Sequence, residues 1–173
     1  MDVINTQDDE LLDIINDQDI VIGAQYRSAI YINNLHNYRG INGFIKNSQG
    51  QLWIPRRTAQ KKLFPLALDT SVGGHVMSGE SYVEAFARET KEELNLDISE
   101  LKHKQIGYFT PHNHSVSGFM NVYEILLDTE PLYNKDDFIE SYWLYPHEII
   151  DRLNAGDRAK GDLPKLIKLL YIR

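Results

Sequence analysis

The stretch from Gly74 to Leu96, GHVMSGESYVEAFARETKEELNL, constrains the fold more than any other part of the sequence. Ser81 and Glu84 form the S-x-x-E pattern of a capping box, which predicts that a helix begins near Tyr82. Asn95 suits the left-handed conformation that ends a helix, so we expect the helix to stop there. Between these ends, residues at helical spacing predict one mostly apolar packing face, made of Val83, Phe86, Ala87, Thr90 and Leu94.

The opposite face of the predicted helix carries three carboxylates, Glu89, Glu92 and Glu93, at positions i, i+3 and i+4. At this spacing neighbouring Cβ atoms are only about 5–6 Å apart, so the three charges repel one another. They also lie in the C-terminal half of the helix, where the helix dipole disfavours negative charge. A helix that keeps such an unfavourable cluster of negative charge indicates a functional site. A hard divalent cation such as Mg²⁺ prefers carboxylate oxygens and would relieve the repulsion.

The spacing of this stretch resembles the Nudix box of the Nudix hydrolases, G-x5-E-x7-R-E-U-x-E-E-x-G-U, in which U is an aliphatic residue. Thr90 stands where an aliphatic residue is usual, and Asn95 replaces the last glycine of the box. Both replacements keep the structural role of the position, because Thr90 can still pack against the core and Asn95 can still end a helix. An ordinary solvated amphipathic helix would not require the matching residues at their offsets. Those matches are Gly74, Glu80, Arg88, Glu89, Glu92, Glu93 and Leu96.

The resemblance implies an α+β fold, in which a mixed central sheet is sandwiched between helices. It also implies hydrolysis of a pyrophosphate bond in a nucleoside diphosphate linked to another moiety, with Mg²⁺ as the cofactor and Mn²⁺ as an alternative. Glu89, Glu92 and Glu93 would then hold the metal, with the backbone carbonyl of Gly73 as a further ligand. Glu93 or Glu89 would take a proton from the attacking water. Arg88 would orient these carboxylates through charge-assisted hydrogen bonds.

Two further acids have expected roles in this interpretation. Glu140 lies near the start of a later strand, where many Nudix enzymes place another acidic residue, so it is an alternative proton acceptor. Glu80 is expected to fix the loop before the helix, either by pairing with Arg88 or by accepting hydrogen bonds from backbone amides. We assign Glu80 a structural role.

Residues 41–68 contain no acidic residue, although the chain as a whole has a formal net charge of −7. This local reversal suggests an anion site, and phosphate suits it. The alternative is a basic strand end that keeps a sheet edge soluble. His75, just after the glycine pair, could contact metal or substrate, or could simply be hydrogen-bonded. The candidate substrate-binding residues are therefore Arg56, Arg57, Lys61, Lys62 and His75.

Periodicity and turn residues predict the remaining elements. Strands are expected at 10–16, 20–25, 41–47, 51–57, 106–110, 119–127 and 138–145, and 27–36 is read as weakly helical rather than as a connection. Segment 68–76 reads as a strand followed by a Gly73–Gly74 turn, and 111–118, with His112 and His114, reads as a loop. Helices are expected from Pro146 to Gly156 and at 163–172, and Trp143 is assigned to the core. We expect a lead-in hairpin and connection at 1–40, packed on a Nudix domain at 41–173.

Composition excludes several classes of function. A chain of 173 residues with 42% apolar and 25% charged residues is typical of one soluble globular domain. The absence of cysteine excludes a disulfide framework, a thiolate zinc site and a cysteine nucleophile. The negative charge argues against nucleic-acid binding, and no apolar run approaches a membrane span. Since no secretion signal is visible, we expect a cytoplasmic protein that acts on a small-molecule diphosphate. The sequence leaves a homodimer open.

Two alternative functions remain. Residues 49–96 also resemble isopentenyl-diphosphate isomerase, a Nudix-fold enzyme, and His75 matches one of its metal-binding histidines. The isomerase carries its catalytic cysteine where this chain has Gly73, so the proton transfer would lack its thiol. The other alternative is a non-catalytic module that only binds nucleotides. The intact set of three carboxylates argues against that module.

Overall fold

The structure, a computed structural model, describes residues 9–172. Its strands are β1 Leu11–Ile15, β2 Val21–Tyr26, β3 Arg39–Lys46, β4 Leu52–Arg57, β5 Val72–His75, β6 His103–Phe109, β7 Phe119–Leu126 and β8 Phe138–Leu144. Its α-helices are α1 Arg27–Ile32, α2 Tyr82–Leu94, α3 Pro111–His114, α4 Pro146–Asn154 and α5 Leu163–Tyr171, with a 3₁₀ turn at Ile98–Glu100. Strands β1 and β2 form a hairpin, and the other six strands form one mixed sheet.

Strand β3 is the centre of the large sheet, because it pairs with three other strands. The order is β6-β7-β3-β4-β8, and β5 also pairs with β3. The β3–β7 pair is parallel, whereas β3 is antiparallel to both β4 and β5. The expected Gly73–Gly74 turn is wrong: both glycines lie inside β5, opposite Asn42 and Ile41 of β3. Pairing with β3 keeps this backbone extended.

Alternate residues of the central strands point to opposite faces of the sheet, as the pleat requires. Ile45 and Trp53 belong to the cluster under α2, whose Phe86 stacks on Tyr123 with ring centroids 4.2 Å apart. The other face packs against α4 and α5, and its core contains Phe44, Leu52, Ile54, Ile149, Leu163 and Ile167. The predicted α+β class, with a mixed sheet between helices, is confirmed.

Helix α2 begins and ends where the sequence predicts. Ser81 accepts a hydrogen bond from the Glu84 amide, both halves of the capping box are present, and Asn95 is left-handed with φ 56°. The predicted packing face is only partly right, because the Val83 side chain is 50% exposed. Ala85 and Glu89 are buried in its place. The buried face is rotated toward β5, and this rotation carries Glu89 inward.

The structure decides three other predictions, which concern residues 27–36, residues 111–118 and Trp143. Residues 27–32 are helical, as favoured. No helix within 9–172 combines the length and apolar character needed to cross a bilayer. The expected loop at 111–118 is wrong in its first half, because Pro111 starts a short helix that the left-handed Ser115 ends. Trp143 is only half-buried, whereas Trp53 on the opposing strand is fully buried.

Two aspartates of the N-terminal hairpin tie it to the loop before α2 and to the large sheet. Asp13 accepts hydrogen bonds from Ser78 Oγ at 2.6 Å and from the Gly79 amide at 3.2 Å. Asp19 accepts from Arg39 Nε at 2.5 Å, from Tyr82 at 2.8 Å and from Tyr108 at 3.0 Å. The hairpin therefore packs on the domain, and the boundary at residue 40 stays a prediction.

Asp19→Asn should destabilise the protein by about 1–2 kcal/mol, because an amide cannot replace a carboxylate that accepts from three donors. Asparagine tolerates the left-handed backbone of Asp19, so the change tests the hydrogen bonds and not the turn. Urea unfolding measures the effect. Asp17→Asn is the matched control, since Asp17 is 76% exposed and its one ion pair within residues 9–172 is with His112. Equal stability of the two variants would contradict the anchoring role of Asp19.

Candidate active site

A cavity of about 1040 Å³ opens beside β5 and the C-terminal half of α2. Its lining includes two acidic residues of the box, several cationic side chains, and residues of the segment before β3. Among the residues that line it are Glu10, Tyr31, Arg57, Lys61, Lys62, Leu63, Phe64, Asp69, Gly73, Gly74, His75, Glu89, Glu93 and Lys160. The cavity therefore brings together groups from distant parts of the chain.

Glu89 lies in this cavity wall against the backbone of β5. A Cβ atom at Gly74 would stand only 2.1 Å from Glu89 Oε1, so glycine is required for this approach. Arg88 Nη1 donates to the same oxygen at 2.7 Å. Burial raises the pKa of Glu89 to about 7, although the Arg88 guanidinium opposes the shift. Glu89 is thus a desolvated carboxylate that takes up a proton easily.

Glu93 is the second box carboxylate on the cavity wall. Its Oε2 accepts a hydrogen bond from the Gly73 amide at 3.1 Å. Burial, together with the charge of Glu89, raises the pKa of Glu93 well above its ordinary value. The structure brings Glu89 and Glu93 together, as the spacing predicts.

Arg88 connects the loop before α2 to β5 and to the carboxylate of Glu89. Its Nε and Nη2 donate to the two oxygens of Glu80 at 2.9 and 3.0 Å, and Nη2 also donates to the carbonyl of His75 at 2.9 Å. Glu80 Oε2 accepts from the Met77 amide at 3.0 Å. Both contacts expected of Glu80, with Arg88 and with a backbone amide, are therefore present.

Glu92 does not join the other two box carboxylates in the cavity wall. Its side chain is 59% exposed and its Oε2 lies 3.5 Å from Arg88 Nη1. Within residues 9–172, no three or more His, Cys, Asp or Glu side chains are already arranged to hold a metal ion. The described structure thus places the buried Glu89 carboxylate and the partly buried Glu93 carboxylate in the cavity wall, while Glu92 is exposed outside it.

His75 has both ring nitrogens engaged. Nδ1 lies 3.1 Å from Glu10 Oε2, and Nε2 lies 2.7 Å from the Tyr31 hydroxyl. Glu10 also pairs with Arg27 at 3.0 Å. Sequence reasoning missed Glu10 and Tyr31, because no local pattern shows that the hairpin and α1 return to the glycine strand.

The basic stretch divides between Arg56 and Arg57, because adjacent residues of β4 point to opposite faces of the sheet. Arg57 lines the cavity, where its Nη1 donates to Asp69 at 2.7 Å. Arg56 does not line it and pairs instead with Glu140 at 2.6 Å and Asp157 at 2.8 Å. Lys61 lines the cavity beside Asp137, and the exposed Lys62 lines it as well.

Glu140 lies away from the box carboxylates. Hydrogen bonds from Tyr142 and Arg56 lower its pKa, so Glu140 is a weak proton acceptor. The two loop histidines also lie elsewhere: His112 pairs with Asp17 at 3.0 Å, and His114 Nδ1 accepts from the Thr110 amide at 3.1 Å. None of these three side chains lines the cavity.

Comparison with known proteins agrees with the box and its geometry. Residues 36–164 match the NUDIX domain, and the chain belongs to the Nudix hydrolase family, whose enzymes hydrolyse pyrophosphate bonds. It is 56% identical over 165 residues to an uncharacterized Nudix hydrolase of Nostoc sp., covering 95% of this chain and 98% of that one. It is 46% identical over 163 residues to a Nudix hydrolase of Deinococcus radiodurans, covering 94% and 95% of the two chains. A crystal structure of a D. radiodurans protein with 46% identity has a TM-score of 0.89 and covers 94% of this chain and 99% of that one.

Gly74→Ala should lower kcat/KM for pyrophosphate-bond hydrolysis by about 100-fold or more, because the new methyl group displaces the Glu89 carboxylate. Steady-state kinetics on a substrate of the wild-type enzyme measures this loss. Gly23→Ala is the control, since a Cβ at Gly23 meets nothing within 4 Å. Near-normal activity of Gly74→Ala would show that the placement of Glu89 is not needed.

The raised pKa of Glu89 predicts a pH-dependent stability of the metal-free protein. A carboxyl with a pKa of about 7 when folded, against an ordinary 4.5, stabilises the fold fully below the lower value. That stabilisation is lost as the pH rises through the folded value. Glu89→Gln stays neutral, so its stability relative to wild type should rise by about 2.5 kcal/mol from about pH 5 to pH 8.

Urea unfolding in EDTA at the two pH values measures this difference. Glu100→Gln is the control, because Glu100 is exposed on the 3₁₀ turn. The same change with pH in wild type and Glu89→Gln would contradict the desolvation of Glu89.

Proposed function

We propose that this enzyme hydrolyses the pyrophosphate bond of a nucleoside diphosphate linked to another moiety, with Mg²⁺, or Mn²⁺ in its place. One observation carries the proposal: two carboxyls with raised pKa, Glu89 and Glu93, share a cavity with cationic side chains. A diphosphate has the charge to lie between a metal held by the acidic wall and the cations of the other wall.

The acidic wall suits Mg²⁺ in its chemistry. Mg²⁺ keeps several waters and uses one or two carboxylates together with substrate phosphates, so it does not require a complete protein cage. Glu89 and Glu93 supply two desolvated carboxylates whose negative charge a cation would stabilise. Glu92 at the rim and the carbonyl of Gly73 are further candidate ligands. When bound, the metal supplies positive charge against the diphosphate and makes a neighbouring water more acidic.

We assign the proton transfer to Glu93. A water oxygen forms a bond to one phosphorus while the bridging P–O bond breaks, and the water proton passes to the carboxylate. Among residues 9–172 Glu93 accepts from the Gly73 amide and from no arginine, whereas Glu89 accepts from Arg88 at 2.7 Å and is better suited to hold metal. Arg88 keeps Glu89 in place. Glu140 takes no part in this assignment, because its carboxylate is engaged by Arg56 outside the cavity.

The cavity also has room for a nucleoside beside the phosphates. Tyr31, Leu63 and Phe64 line it with side chains that are 41%, 50% and 47% exposed. A flat, apolar base face can stack on such side chains, whereas a bare inorganic diphosphate would leave them unused. Lys62 and Arg57 are the candidate phosphate contacts from the basic stretch, and Lys61 lies beside them. Cytoplasmic location stays a prediction from the sequence.

The isomerase alternative is not favoured at the position that would need its thiol. A side chain at Gly73 would begin with a Cβ only 3.1 Å from both Asn42 Oδ1 and Thr70 Oγ1. This is a crowded place for a catalytic group. A module that only binds nucleotides would not require two desolvated carboxyls.

Glu93→Gln should lower kcat by at least about 100-fold while leaving the thermal unfolding temperature near or above that of wild type. The amide keeps the shape of the side chain but cannot accept the proton. A panel of nucleoside diphosphate derivatives with Mg²⁺, read as phosphate released after phosphatase treatment, measures this loss. Glu100→Gln, on the exposed 3₁₀ turn, should behave as wild type. Full activity of Glu93→Gln would end this assignment.

Metal dependence and reaction type are tested on the wild-type protein. Excess EDTA should stop hydrolysis, and Mg²⁺ should raise the unfolding temperature of wild type more than that of Glu93→Gln. Isopentenyl diphosphate incubated with the Mg²⁺-loaded protein should show an unchanged double bond by proton NMR. Hydrolysis in EDTA, or formation of dimethylallyl diphosphate, would refute the proposed function.

A further inference from the structure

Asp69 and Lys160 lie beside the box carboxylates, although neither belongs to the box or to the basic stretch. Asp69 is only 3% exposed. Its Oδ2 lies 2.7 Å from Arg57 Nη1 and 3.2 Å from Lys160 Nζ, while its Oδ1 accepts from the Thr70 amide at 2.8 Å. One buried carboxylate thus holds two cationic side chains that both line the cavity.

The backbone fixes the position of Lys160. The Lys160 amide donates to the carbonyl of Leu68 at 2.8 Å, and the Leu68 amide donates to the carbonyl of Arg158 at 2.8 Å. Leu68 and Ala159 also form a parallel β-bridge. Because Leu68 is fully buried, the segment that carries Lys160 is attached to the core and is not a free surface loop.

Lys160 extends to the part of the cavity where the catalytic carboxylates lie. A Cβ atom built at Gly73 would be 3.5 Å from Lys160 Nζ, and the amide of the same glycine donates to Glu93. The Lys160 side chain is 31% exposed, so its ammonium can reach a bound molecule. Its charge also opposes the upward shift of the Glu93 pKa, which agrees with this proximity.

The two cationic side chains beside Asp69 carry more positive charge than this one carboxylate neutralises, so positive charge remains available for an anion. Arg57 and Lys160 share the single carboxylate of Asp69, and Arg57 Nη2 has no hydrogen-bond partner among residues 9–172. When Glu89 and Glu93 hold a metal, their charge is no longer available to Lys160. An arginine fork and a lysine held side by side are the donors that phosphate oxygens require.

We propose that Arg57 and Lys160, both positioned by Asp69, form a subsite for a phosphoryl group of the substrate diphosphate. This inference rests on the proposed function. Lys160 is its new substrate-binding residue and Asp69 its positioning residue. The alternative is that Lys160 only neutralises Asp69, in which case its loss would affect stability and leave ligand binding unchanged.

The test uses the full chain with Mg²⁺ and imidodiphosphate, a diphosphate whose bridging oxygen is replaced by NH. Isothermal titration calorimetry should show a Kd raised about tenfold or more in Lys160→Met. Lys160→Arg keeps the charge and should restore the affinity to within about threefold of wild type. Lys168→Met is the matched control, because Lys168 is exposed on α5 and does not line the cavity. The affinity of Lys168→Met for imidodiphosphate should equal that of wild type.

Urea unfolding of each variant is measured first, and Lys160→Gln replaces Lys160→Met if the latter does not fold. Wild-type affinity in the folded variant would overturn the subsite, whether or not its stability falls. Failure of wild type to bind imidodiphosphate would overturn it as well. If Lys160 governs imidodiphosphate binding but wild type cleaves no nucleoside diphosphate derivative, the subsite stands and the proposed function fails.

Discussion

The contact between Glu89 and the backbone of Gly74 is the constraint on which the site depends. No side chain fits at Gly74, since a Cβ there would overlap the Glu89 carboxylate. Helix α2 can therefore lie against β5 with an acid in the interface, where an ordinary amphipathic helix would bury an apolar residue. Burial desolvates that acid and raises its pKa, and Arg88 limits the cost through its hydrogen bond. The glycine strand and the carboxylate helix are consequently one unit.

Charges around the cavity are held in shared pairs. Arg88 is divided between Glu80 and Glu89, and Asp69 is divided between Arg57 and Lys160. Shared pairs of this kind orient each group while leaving part of its charge unsatisfied. These ion pairs add little net free energy to folding, because desolvation offsets much of the Coulomb attraction between buried ions. Their value lies in preorganisation: donors and acceptors are already in place when a charged ligand enters.

Local signals explain why the sequence predicts the ends of α2 so well. The capping box and Asn95 act within one helix, so they specify where it begins and ends. The i, i+3, i+4 spacing places the three acids near one another, but it does not show that Glu89 is buried against β5 while Glu92 stays exposed. Long-range pairing explains the failures at the glycines: Gly73 and Gly74 are extended because β3 pairs with them. Arg56 and Arg57 divide for a local reason, because adjacent residues of β4 point to opposite faces of the sheet. Nothing near Lys160 indicates that Leu68 fixes it beside Asp69. Such contacts depend on which strands pair in the folded chain, and no local residue pattern shows that pairing.

The segment before the family domain match is connected to the box carboxylates by a continuous chain of contacts. Tyr31 on α1 hydrogen-bonds the ring of His75, and Glu10 pairs with the same ring. The carbonyl of His75 accepts from Arg88, which in turn donates to Glu89. A molecule in the cavity that displaced Tyr31 would therefore act on β5 at the residue next to Gly74. Under the proposed function the box would bind only the diphosphate and its metal, so selection among diphosphates would come from walls outside the box. The N-terminal segment supplies one such wall, and it does so while contacting the strand that positions the acids.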